Sequence, residues 1–109
     1  CLALHTQDLR HPELRAFVAD RFYVVRLDFY GANKLADFDG TVASEEEIAR
    51  RHRAIGTPTI EFHTADRAEI ARIPGYVPRS MLQVAFEYVD TGAYKTTKIN
   101  DYMKSRGEL

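Results

Sequence analysis

An α/β fold is expected from three features of the 109-residue chain. A nearly continuous aromatic and β-branched run at 22–28, beginning Phe22, Tyr23, Val24, Val25, suits a strand buried on both faces of a sheet. Two shorter runs, 59–63 and 69–73, stand at hairpin distance across the polar turn 64–67 and suit an antiparallel pair. Helical spacing alternates with these strands, most clearly where Met81, Leu82, Ala85, Phe86 and Val89 form one apolar stripe.

Each element has a local reason. Leu2, Leu4 and Leu9 give a weak helical pattern that Pro12 interrupts, and Leu14, Phe17 and Val18 then recur at i, i+3 and i+4. The expectation is a long first helix, broken or kinked at Pro12 and ending near Asp20. The strand at 22–28 follows. From Phe29 to Val42 the periodicity dissolves, and Asp39-Gly40 marks a turn in a long exposed loop. Ser44 and Glu47 stand at capping-box spacing, so a helix should start there, carry Ile48 and Ala49, and end near His52 or Arg53.

Pro74, Gly75 and Tyr76 form a turn, and Pro78 opens the next helix, where its missing N–H does no harm. Gly92 ends that helix, and Ile99, Tyr102 and Met103 lie on a short terminal one. The expected core holds Leu14, Phe17, Val24, Leu27, Ile60, Phe62, Ile70, Leu82, Phe86 and Val89. Tyr76 and Tyr88 fit core or rim equally well.

Composition narrows the function. With 45% hydrophobic and 28% charged residues the chain has the balance of one globular domain over 1–109. A net charge of −1 offers no basic field for nucleic acid. The apolar runs are too short for a bilayer span. A lone cysteine rules out a disulfide scaffold within these residues, and because it stands at position 1 the natural chain is expected to continue upstream.

The stretch Ile55, Gly56, Thr57, Pro58, Thr59, Ile60 is the most informative. Pro58 cannot fully join a central ladder, and at the head of a strand it suits a cis Thr57–Pro58 bond. That turn would leave the Thr57 backbone facing outward, able to pair with an extended peptide. A plain loop-to-strand junction accounts for the same residues.

Taken together, Cys1-Leu2-Ala3-Leu4-His5, the run ending Val24-Val25-Arg26-Leu27-Asp28, Gly56-Thr57-Pro58-Thr59 and Ile73-Pro74-Gly75-Tyr76 resemble the thioredoxin superfamily. The likeness is greatest to thioredoxin-like proteins of the bacterial periplasm, including SoxW-type and related thiol:disulfide interchange proteins. It implies a three-layer fold, a central mixed sheet flanked by helices, with the first strand upstream. It implies a C-x-x-C pair at the start of the first long helix, where the helix N-terminus favours a thiolate. Position 4 is Leu, so Cys1 is not the first cysteine of such a pair; its likeness to the family's continuation after the motif implies that it is the second, resolving cysteine, with the nucleophile three residues earlier.

Thr57 and Pro58 are then the substrate-binding residues. The partners implied are protein thiols or disulfides and a redox protein that recharges the pair, with no cofactor and a periplasmic location. Two functions follow, a thiol:disulfide oxidoreductase or a non-catalytic module that binds extended peptides beside the proline. The residue three before Cys1 separates them.

Other groupings are read more plainly. Cys1 and His5 share an i, i+4 spacing, but two ligands do not close a metal site, and His11, His52 and His63 add no ligand spacing to them, so no metal is expected. Glu45, Glu46 and Glu47 at one helix end, with Arg50, Arg51 and Arg53 at the other, complement the helix dipole.

Overall fold

A computed structural model describes residues 10–54, 56 and 58–109. Helix α1 spans Pro12–Arg21, with proline at a position that needs no N–H, Glu13 in its first turn and Arg21 in its last. Its Leu14 and Val18 are buried and Phe17 packs against the same cluster, as the i, i+3, i+4 spacing requires. The part of the expected first helix that precedes Arg10 lies outside the described residues.

Residues 22–28 depart from expectation. They leave α1 in extended conformation at Phe22, yet they join no ladder among the described residues. Tyr23 is 95% exposed, Val24 63% and Val25 58%, so the buried central strand and the burial of Val24 are not found. The reason is pairing. A run apolar on both faces is buried only between neighbouring strands, and the described sheets pair among themselves. Phe22 alone of this run reaches the core, edge-to-face with Phe86 at 5.0 Å and with Phe62 at 6.3 Å.

The segment expected to be a long loop contains a small hairpin. Strands β1 (Lys34–Ala36) and β2 (Val42–Ser44) pair antiparallel, with Leu35 opposite Ala43. The turn is the expected Asp39-Gly40, with Gly40 at φ +87 and its N–H donating to the Asp37 carbonyl at 2.9 Å. Strands this short gave no alternation to read. Helix α2 (Glu45–Arg51) follows at once, and Ser44 Oγ accepts from the Glu47 N–H at 3.2 Å, the cap that its spacing predicts.

Strands β3 (Ile60–His63) and β4 (Glu69–Ile73) form the expected antiparallel pair, with Ile60 opposite Ile73 and a register shift between Phe62 and His63. Helix α3 (Arg79–Asp90) is capped by Pro78 and closed beyond Thr91 by Gly92 at φ +78. A 3-10 turn (Ala93–Lys95) leads to α4 (Ile99–Ser105). The core lies between these elements. Leu14 and Val18 of α1, Phe62 of β3, Ile73 of β4, Leu82 and Phe86 of α3 and Met103 of α4 make one buried cluster. None of the helices among the described residues is long and apolar enough to cross a membrane.

Candidate functional site

Two constellations carry chemistry. The first is the expected one at the head of β3. Pro58 is buried there, and Thr59 Oγ1 donates to the Gly56 carbonyl at 2.7 Å, tying the two sides of the proline together. Cys1 and Thr57 lie outside the described residues, and with them the Thr57–Pro58 peptide bond and the packing of Cys1 against this loop.

The second constellation escaped the sequence reading. It gathers on the outward face of β3, beside the end of α2. Phe62 points into the core, so its neighbours Glu61 and His63 point away from it on the same side, as alternation along a strand demands. Glu69 stands opposite His63 across the hairpin. His52 arrives from another element as the C-cap of α2.

The ring nitrogens converge on one oxygen. Glu61 Oε1 lies 2.8 Å from His52 Nδ1 and 2.9 Å from His63 Nε2. The far nitrogens are held as well, His52 Nε2 at 2.6 Å from Asp37 Oδ1 and His63 Nδ1 at 3.2 Å from the Arg67 carbonyl. The His63 ring stacks on Phe38 with centroids 3.9 Å apart and 15° between planes. Around this sits a cationic shell. Arg72 bridges Glu69 at 2.8 Å and Glu61 at 3.3 Å, and Arg51 reaches Asp39 at 2.9 Å and Asp37 at 3.6 Å. An open cavity of about 410 Å³ lies against His52, His63, Phe38, Arg51, Arg67 and Arg72.

The electrostatics follow from this packing. Burial pushes the His52 imidazole down, but hydrogen bonds to Glu61 and Asp37 outweigh it and hold its pKa above the ordinary histidine value. Burial pushes the Glu61 carboxyl up, and the bonds to His52 and His63 outweigh that in turn, holding it below the usual range. Asp39 is lowered chiefly by the hydrogen bond from the Thr41 backbone.

Charge on these groups is stabilised by contact. The one signal the sequence carried was the alternation Glu61-Phe62-His63 facing Glu69, and it depended on knowing the hairpin register.

Comparison with known proteins now decides the family. The profile of the thioredoxin-like domain matches residues 1–90, which is most of the chain. The chain belongs to the thioredoxin-like domain family. A thioredoxin-fold protein from Helicobacter pylori is similar in structure, with a TM-score of 0.77 and 24% identity over 94% of this chain and 74% of that one. The fold of this thioredoxin-like domain is therefore the α/β class expected from its sequence. None of the curated proteins matches the domain.

Proposed function

We propose that this thioredoxin-like domain is a thiol:disulfide oxidoreductase that reduces or exchanges disulfides in protein substrates, with Cys1 as its resolving thiol. The observation that carries the reading is the family match, which begins at Cys1 and runs through the Gly56 to Thr59 segment. The buried Pro58 at the head of β3 supports it, because the substrate strand in this reading lies against the Thr57 backbone beside that proline. In finer terms the domain is of the SoxW type and acts in the bacterial periplasm, where oxidising conditions keep disulfide substrates available.

The chemistry balances in two displacements. A thiolate three residues before Cys1 attacks one sulfur of a substrate disulfide, expelling the other as a substrate thiolate and forming a mixed disulfide. The Cys1 thiolate then attacks the first cysteine's sulfur, which releases the second substrate thiol. The pair ends oxidised and the substrate reduced. A dithiol redox partner returns two electrons and two protons to the pair.

The test uses a chain carrying the upstream cysteine. Changing Cys1→Ser removes the group that resolves the mixed disulfide, so covalent complexes with substrate proteins should accumulate on a non-reducing gel and vanish with dithiothreitol. Absence of adducts, with the upstream thiol reactive to alkylation, would replace this reading with that of a peptide-binding module.

A further inference from the structure

With both imidazoles neutral, the cluster on the outward face of β3 is short of hydrogens for the contacts it makes. A carbonyl oxygen only accepts, so His63 Nδ1, 3.2 Å from the Arg67 carbonyl, carries the hydrogen. Its Nε2 then presents a lone pair in the neutral ring. Asp37 has a side chain only 7% exposed and faces His52 Nε2 at 2.6 Å, so in the neutral ring the hydrogen sits on Nε2 and the lone pair on Nδ1. Both lone pairs aim at Glu61 Oε1, itself an acceptor. Three lone pairs meeting at one point call for positive charge between them. Two extra protons supply it, and so does one divalent ion.

We propose that His52 Nδ1, His63 Nε2 and the Glu61 carboxylate bind one zinc-class divalent ion, with the Glu69 carboxylate completing the set. The ligand atoms of these residues all lie within 4.8 Å of one another. Bonds of about 2.0–2.2 Å around a tetrahedral ion set ligands roughly 3.4 Å apart, a spacing that small side-chain rotations reach from here.

Two imidazoles with carboxylate oxygens favour zinc and its transition-metal neighbours over calcium or magnesium, which take oxygen ligands. The support behind the ligands matches what a metal site uses. Each histidine has its far nitrogen fixed, His52 by the Asp37 carboxylate and His63 by a backbone carbonyl, so ring orientation and tautomer are set in advance.

Arg72 stays on Glu61 Oε2 while Oε1 meets the ion, and gives up its bond to Glu69. The bound ion ties the end of α2 to β3 and β4, and by favouring the folded state it raises the melting temperature with metal concentration. None of this rests on the disulfide reading.

The test begins with Cys1→Ser protein freed of metal by a chelator, which removes the one competing thiolate. Zinc titrated into it calorimetrically should bind at one equivalent, and cobalt should give visible absorption without thiolate charge-transfer bands. Either His52→Ala or His63→Ala should abolish that equivalent. Asp37→Asn, which leaves every ligand in place, should weaken it by about 10–100-fold, and His11→Ala should leave it unchanged.

A measurement that needs no altered ligand runs beside these. Zinc should shift the imidazole nitrogen resonances of His52 and His63 and leave those of His5 and His11 where they are. Failure of the Cys1→Ser protein to bind zinc, shifts confined to His5 or His11, or undiminished binding by folded His63→Ala protein would each overturn the proposal.

Discussion

Tyr88 shows how one hydroxyl ties two segments together. Its residue is 4% exposed, its ring packs 5.3 Å from that of Tyr102, and its hydroxyl donates to the Thr97 carbonyl at 2.6 Å. Burial pushes its phenol pKa up, since an ionised ring would lose water it cannot replace. The sign of the pH effect follows. An unfolded tyrosine releases its proton near pH 10, whereas the folded one holds it to higher pH.

Stability is therefore complete below about pH 10 and falls as pH climbs through the raised folded value, because only the unfolded chain gains by ionising. Tyr88→Phe should lose about 0.5–1.5 kcal/mol at neutral pH with the hydrogen bond, and should then show a shallower alkaline decline. Urea midpoints at about pH 9 and about pH 11 check this, and parallel declines in the two proteins would refute it. Sequence alone left Tyr88 and Tyr76 alike as core or rim, and the structure buries the first and leaves the second 49% exposed. A helical stripe names a face, but whether a long aromatic at its margin is covered depends on what packs beside it. His52 and His63 were hidden for a related reason, since their site is made by three elements meeting and by no spacing within one.

At the scale of elements, α2 is docked through its first residue. Glu45 is buried, and its Oε2 accepts from the Asp28 N–H at 2.8 Å, while the N–H groups of Glu45 and Glu46 donate to the carbonyls of Asn33 and Gly31. The carboxylate fills the space at Gly31. A Cβ built there would stand 2.4 Å from Glu45 Oε1 and 3.0 Å from Asp28 Cβ, so no larger residue fits without moving the carboxylate off its partner. Gly31→Ala should destabilise by about 1–3 kcal/mol through that lost charged hydrogen bond and the strain of overpacking.

A double-mutant cycle isolates the cause. In a Glu45→Ala background the same Gly31→Ala change should be nearly neutral, and simple additivity of the two losses by urea unfolding would show that the contact is not responsible. Dipole complementarity, the reading available from sequence, explains the cluster Glu45, Glu46, Glu47 only in part, because one member of it serves the loop above. Elements with their own local signals were legible. Proline and glycine bounded α3, Ser44 and Glu47 began α2, and the polar turn at 64–67 placed β3 beside β4. The three-residue strands β1 and β2 had too little length to show alternation, and only their Asp39-Gly40 turn was readable.

Across the whole molecule, stability is concentrated on one side of the chain. Leu82 is wholly buried in the cluster that joins α1, the β3–β4 pair, α3 and α4, whereas the run at 22–28 contributes Phe22 to that cluster and leaves Tyr23, Val24 and Val25 exposed. The sequence could not separate these cases. The aromatic and β-branched run at 22–25 has the composition of a core strand, and burial of such a run depends on which strands flank it. The two readings differ by a measurable amount.

A Val24 sandwiched in a central strand would cost several kcal/mol when replaced by serine, through lost burial and an unpaired hydroxyl. At 63% exposure in this chain, Val24→Ser should instead change stability by no more than about 0.5 kcal/mol. Leu82→Ala provides the scale in the same experiment. With no exposure to lose, it should cost about 2–5 kcal/mol, enough to lower the melting temperature by roughly 4–8 °C for each kcal/mol. If Val24→Ser proved as damaging as Leu82→Ala in the chain of these 109 residues, the run at 22–28 would be packed in solution and the core would extend across it.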